Sequence, residues 1–172
     1  KTTSTSMLFS HAEAARTSGR RIRYEATVGA GLPILDTYWK LFESGDRVLK
    51  IEGCLSGTLG FLFTQLSAGR PFSEAVREAM AKGYTEPDAR DDLSGMDVAR
   101  KAVILAREAG LNLELSDIEV ESLAPAALAK ASVDEFLKRL GDFDAPMAER
   151  VQRARKNGQV LRYVADIDVK AG

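Results

Sequence analysis

The sequence predicts an α+β fold: a mixed β-sheet with helices packed mainly on one face. Two segments, around 33–42 and 98–109, repeat apolar residues at helical spacing, and several short segments alternate like strands. Helices and strands intersperse without the strict strand–helix alternation of a doubly wound sheet. At 172 residues, with 45% apolar content, the chain has the size and composition of one soluble domain.

Along the chain, the alanine-rich stretch Ser6 to Ser18 reads as a short helix, and Ile22 to Val28 alternates like a strand. The turn Gly29-Ala-Gly-Leu-Pro33 leads into a helix with Pro33 at its first position. Ile34, Leu35, Tyr38, Leu41 and Phe42 share one face of it, and Gly45 stops it. Val48 to Leu55 reads as a second strand, after which Ser56, Gly57 and Gly60 open a helix carrying Phe61, Leu62 and Leu66. Ser73 suits the N-cap of a helix that runs to Lys82 and ends at Gly83. Tyr84 to Ser94 reads as a polar, acidic loop. The long helix after it puts Val98, Ala102, Leu105, Ala106 and Ala109 on one face, and Gly110 closes it. Strands are expected at Ile118 to Leu123 and Val160 to Asp168, with helices at Val133 to Leu140 and Ala145 to Asn157 between them.

Lysine plus arginine number 24 against 25 for aspartate plus glutamate, so no net basic field exists to hold a polyanion or an anionic membrane. Nucleic acid is not an implied partner. No apolar run approaches the roughly 20 residues of a membrane span, and the stretch KTTSTSMLFSHAEAARTSGRR lacks the continuous apolar block of a secretory signal. The single cysteine, Cys54, lies in an apolar stretch and is expected to be a small buried hydrophobe in a reducing, cytoplasmic protein. The chain starts on Lys1 and stops just after a strand, so it is expected to be truncated at both ends.

Chemistry concentrates in the stretch from Gly83 to Lys101, which holds Glu86, Asp88, Asp91, Asp92 and Asp97. Five crowded carboxylates repel one another unless a cation answers them, whether an arginine, a lysine, a metal or an ammonium-bearing ligand. Composition alone favours a solvated acidic loop complementing a helix dipole. Asp97 and Lys101, however, are four apart on the helix and project from the border of its apolar face. An exposed ion pair of that spacing has small value, but a lysine at a partly buried edge can be aimed at a substrate oxygen with its proton available for transfer.

Glu25-Ala-Thr-Val-Gly-Ala-Gly-Leu-Pro33 contains a GxG. A dinucleotide fingerprint needs a third glycine where Ile34 stands, together with a surrounding βαβ unit, so the phosphate-loop signal is weak. A plain strand-to-helix turn is favoured by spacing. Converging carbonyls with the Glu25 carboxylate would also suit a hard cation.

Together, YEATVGAGLPILDT, IEGCLSGTLGFLF and GYTEPDARDDLSGMDVARKAVILARE resemble the catalytic domain of homoserine dehydrogenases, in the family's order and spacing. The likeness extends through VDEFLKRL to VLRYVADID, nearly the whole chain, and the GYTEPD...RDDLSGMDVARK form looks most like the branch fused to aspartate kinase. The resemblance implies hydride transfer between a nicotinamide cofactor, NADP or NAD, and the pair homoserine and aspartate 4-semialdehyde. That chemistry belongs to the aspartate-derived route to threonine and methionine. It implies Lys101 as the proton donor and acceptor for the hydroxyl oxygen. Glu86 and Asp97 are implied as acids holding the amino acid, with Tyr84, Asp92 and Thr27 lining the site. Gly83 is implied as a backbone contact to the nicotinamide cofactor. Lys1 aligns with the last lysine of an Asn-Lys-Lys motif that closes the family's nucleotide domain. Glu25 with the carbonyls of Val28, Ala30 and Leu32 is implied as a seat for a monovalent cation such as Na+. A homodimer is implied, and the family's N-terminal Rossmann domain is expected to be absent. The alternative is a non-catalytic dimerisation module derived from the same fold, which has no need to keep Lys101, Glu86 and Asp97 together.

Overall fold

A computed structural model describes residues 11 and 13–170. Lys1 and most of the first half of the helix expected at Ser6 to Ser18 lie outside the described residues, while 13–17 are helical. The chain divides into two compact units. The first comprises Lys1–Leu55, Asp97–Glu119 and Ala165–Gly172, and the second Ser56–Met96 and Val120–Val164.

In the first unit, β1 (Lys50–Gly53) pairs antiparallel with β2 (Ala165–Asp168), with Ile51 opposite Ile167 and Glu52 opposite Asp166. Period-two alternation sends Ala165 and Ile167 inward and leaves Lys50, Glu52, Asp166 and Asp168 in water. Lys50 bridges Glu52 at 2.7 Å and Asp166 at 3.0 Å on that wet face. The class is thus α+β, but the sheet among the described residues is two antiparallel strands and not mixed. Cys54 continues the same alternation onto the wet side and is exposed, contrary to the expected burial.

The strand expected at Ile22 to Val28 is instead a 3-10 turn, Glu25–Thr27. Thr27 bonds back to the Tyr24 carbonyl with both its N–H (3.0 Å) and its hydroxyl (2.6 Å), a local pattern that competes with extended pairing. Helix α1 (Ile34–Glu43) starts one residue after Pro33. Of its expected apolar face only Leu35 is buried, whereas Leu41 and Phe42 are exposed, as is Trp39 outside that face. The rings of Tyr38, Trp39 and Phe42 pack on one another, with centroids 5.7 to 6.4 Å apart.

In the second unit, α2 (Gly57–Ser67) is capped by Ser56, whose hydroxyl accepts the Leu59 N–H at 3.2 Å. Helix α3 (Phe72–Ala81) begins after Pro71, so Ser73 is not its N-cap. Ser73 lies buried in the first turn and donates its N–H (2.6 Å) and hydroxyl (2.8 Å) to Asp144, a remote carboxylate doing the capping. The acidic loop contains a short helix, α4 (Ala89–Leu93), nucleated by Asp88, which accepts the Arg90 N–H. Next comes α5 (Met96–Glu108), which crosses into the first unit after its first residue and buries Val98, Ala102, Leu105 and Ala106 as expected. The second unit closes with α6 (Val133–Arg139) and α7 (Asp144–Lys156). No strand forms at Ile118 to Leu123. Its recorded main-chain tie in the second unit is Leu123 N–H to the Leu93 carbonyl, at 2.8 Å.

Gly95, just ahead of α5, is buried with φ +74°, and a Cβ placed on it would fall on the Tyr163 hydroxyl and 3.1 Å from Val120. Tyr163 cannot easily yield, because its hydroxyl donates to the Glu121 carbonyl at 2.8 Å. Gly95→Ala is therefore expected to lower stability by about 2 kcal/mol or more, combining left-handed backbone strain with overpacking. Urea unfolding measures it; a loss below about 0.5 kcal/mol, the range of ordinary surface changes, would contradict the packing described.

Candidate active site

Lys101 stands on α5 at the margin of its buried face, with 19% of its side chain exposed. Its ammonium donates to Asp97 Oδ2 at 2.6 Å and to the Leu55 carbonyl at 2.8 Å. Asp97 comes from one helical turn earlier, and Leu55 follows the end of β1. An ammonium has three N–H groups, so one is left for a third acceptor. The Leu55 carbonyl was invisible to sequence reasoning, because a main-chain acceptor carries no residue-type signal.

Glu25 also has two partners. Its Oε1 accepts the Leu35 N–H at 2.8 Å and its Oε2 the Asp36 N–H at 2.9 Å, so it caps α1 from outside the helix. Each oxygen keeps a further lone pair, compatible with a cation ligand. Nearby, Gly29 (φ +81°) and Ala30 (φ +51°) reverse the chain, Val28 is buried and Leu32 is exposed. The N-terminus of α1, where a phosphate behind the GxG turn would have to sit, is thus already occupied by a carboxylate. The same unit holds a pair missed in the sequence: Tyr24 donates its hydroxyl to Glu108 at 2.8 Å. Burial, then that bond, raises the tyrosine well above its ordinary range, and burial also raises Glu108.

The second unit gathers Tyr84, Glu86 and Asp92 around Thr58, another residue sequence reasoning missed. The Thr58 hydroxyl faces the Tyr84 carbonyl at 2.6 Å and Asp92 Oδ1 at 3.0 Å, while Asp92 Oδ2 accepts the Glu86 N–H at 2.8 Å. The Tyr84 ring is exposed and meets Phe61 edge-on at 5.2 Å, and the Lys82 ammonium lies 5.2 Å from the same Phe61 ring. Gly83, exposed at φ +69°, ends α3. The acid crowding resolves in part within the chain. Asp88 takes the Arg90 guanidinium on both oxygens, which holds its carboxyl below the usual range, and Asp97 has Lys101. The Glu86 carboxylate accepts no hydrogen bond and meets no cation among the described residues.

Residues 33–172 match the family model for homoserine dehydrogenase. The chain belongs to the homoserine dehydrogenase family. It is 56% identical over 147 residues to the bifunctional aspartokinase/homoserine dehydrogenase 1, chloroplastic, of Zea mays, covering 85% of this chain and 16% of the maize protein. Among solved structures, a Candida auris protein of unknown function superposes with a TM-score of 0.86 at 44% identity, covering 94% of this chain and 47% of that one. A homoserine dehydrogenase from Thiobacillus denitrificans shares the fold, with a TM-score of 0.74 at 22% identity, over 95% of this chain and 34% of that one. The chain thus spans about a sixth of the maize relative's length.

The Tyr24 and Glu108 pair gives this chain a pH signature. A glutamate raised by burial favours the folded state while protonated. Its contribution is complete below the ordinary glutamate range and is lost as pH rises through the shifted value. Glu108→Gln keeps an acceptor for Tyr24 and removes the charge. It is expected to raise the melting temperature at pH 7 while leaving it nearly unchanged at pH 4; equal effects at both pH values would refute the assignment.

Proposed function

We propose that this chain is the substrate-binding and catalytic portion of an NAD(P)-dependent homoserine dehydrogenase, interconverting aspartate 4-semialdehyde and homoserine. The observation that carries this reading is the Lys101 ammonium, fixed by Asp97 Oδ2 and the Leu55 carbonyl with one N–H left. In that role Lys101 delivers a proton to the carbonyl oxygen as it becomes a hydroxyl, and takes it back in the reverse direction. Asp97 keeps the ammonium oriented and screens the substrate's own positive charge, and the unpartnered Glu86 carboxylate receives the substrate ammonium. Tyr84 and Thr27 belong to the same reading as walls of the site, the first offering an exposed ring and hydroxyl.

A nicotinamide dinucleotide, when bound, supplies or accepts the hydride. The described residues suit at most its nicotinamide end, through the exposed backbone of Gly83. They do not suit its pyrophosphate, because Glu25 already caps the glycine-preceded helix. A monovalent cation such as Na+ held by Glu25 and the carbonyls of Val28, Ala30 and Leu32 stays part of the reading, as a structural ion. So does a homodimer, for which the exposed Trp39, Leu41 and Phe42 offer apolar surface. No described helix is long and apolar enough to cross a membrane. Cytoplasmic residence is proposed from cysteine usage alone. A purely dimerising module would have no use for a lysine held in this manner.

In the full-length protein, Lys101→Ala is expected to cut kcat by about a hundredfold or more, with a much smaller change in homoserine affinity. Glu86→Ala is expected instead to raise the KM for homoserine by about tenfold or more, the scale of a lost charged hydrogen bond. Steady-state kinetics separates the two; near-normal turnover without Lys101, or an unchanged KM without Glu86, removes that residue from the site.

The 172-residue chain alone is expected to show no saturable binding of NADPH by calorimetry, since contacts to one ring cannot offset immobilising a large flexible anion. Tight saturable binding would overturn the reading of the GxG turn as a plain helix entry.

A further inference from the structure

Glu86 combines a pinned backbone with an unpartnered side chain. Its N–H is held by Asp92 Oδ2 at 2.8 Å, and Pro87 behind it restricts its backbone to extended conformations. Asp92 is in turn held at Oδ1 by the Thr58 hydroxyl at 3.0 Å, and the same hydroxyl lies 2.6 Å from the Tyr84 carbonyl. Thr58 is 8% exposed in the first turn of α2, fixed there by the Ser56 cap. One hydroxyl proton therefore serves two acceptors on either side of Thr85. Both Asp92 oxygens are engaged by groups of this unit, so its carboxylate is held in place between Thr58 and the Glu86 N–H.

We propose that Thr58 is a positioning residue which, through Asp92, sets the backbone from which the Glu86 carboxylate reaches the substrate ammonium. This rests on the homoserine dehydrogenase reading above and assigns Asp92 to the support of Glu86. The physical gain is pre-organisation. A glutamate on a free loop would pay backbone ordering as well as side-chain ordering when it meets a cation, and the brace removes the backbone share before substrate arrives. The hydroxyl is the only part of Thr58 that can do this, since a methyl neither donates to the carboxylate nor satisfies the Tyr84 carbonyl.

The test uses the full-length protein with Thr58→Val, Thr58→Ala and Thr58→Ser, alone and with Glu86→Ala. Thr58→Val is expected to raise the KM for homoserine about tenfold while kcat falls less than about threefold, and Thr58→Ser is expected to restore KM. In the Glu86→Ala background, Thr58→Val is expected to add no further rise, because the two act as one unit. The Glu86 amide is expected to exchange with deuterium about tenfold faster in Thr58→Val than in the wild type. A KM within about twofold of wild type, an undiminished effect without Glu86, or unchanged exchange at Glu86 each overturns the proposal. Should the valine variant not fold, Thr58→Ala removes the hydroxyl without a branched replacement and is read by the same criteria. If the wild-type protein turns over no homoserine, the functional reading fails and the positioning role falls with it, while amide exchange still reports separately whether the brace exists.

Discussion

A lysine that keeps only 19% of its side chain in water has to be neutralised where it stands, because an unpaired ammonium withdrawn from solvent costs several times what one ordinary hydrogen bond returns. The Lys101 cation is answered by a carboxylate from its own helix and a carbonyl from the end of a strand, so two elements of the first unit meet on one nitrogen. That requirement gives a purpose to features otherwise unrelated. β1 has to end where it does for the Leu55 carbonyl to face α5. The apolar face of α5 has to pack for Lys101 to reach the edge of the core. Asp97, one turn before it, lies on the same side of the helix and so reaches the ammonium.

The second unit solves a different problem with the same means. Two of its carboxylates are held within the unit: Asp88 is clamped by Arg90, and Asp92 accepts from a hydroxyl and a main-chain N–H. Glu86 and Asp91 keep open carboxylates, and of the two it is Glu86 whose main-chain N–H is held by Asp92. An acid whose backbone is held while its carboxylate stays open suits a surface that receives a cation.

Helix periodicity carried much of the fold in the sequence. α2, α3, α5 and α7 lie close to where their apolar spacing and caps put them, because local spacing and local burial agree there. Expectation failed where a remote group or a competing local bond intervened. Ser73 has the chemistry of an N-cap, yet Asp144, 71 positions along the chain, supplies that function and leaves the serine in the first turn. The segment 22–28 alternates as a strand would, but Thr27 closes it into a turn. α1 was read as amphipathic with its face inward, and its periodicity is real, but Leu35 alone of that face is buried, while Leu41 and Phe42 lie in water. At the site, Lys101, Asp97 and Glu86 were legible from residue type and motif. Leu55 and Thr58 were not, since one contributes only its backbone and the other is an unremarkable helix residue until its neighbours are known.

Trp39 is the chain's single tryptophan, and it lies 41% exposed on α1, packed edge-on against Tyr38 and Phe42. Intrinsic emission from this chain therefore originates in the first unit, at a ring that is partly wet in the folded state. Its wavelength would be intermediate, its shift on denaturation small, and its quenching by an added solute substantial before unfolding begins. Any optical record of melting taken at that wavelength would follow α1 and carry no direct signal from the helix of Thr58 or the loop of Glu86, whose loosening would have to be followed through the peptide bond itself.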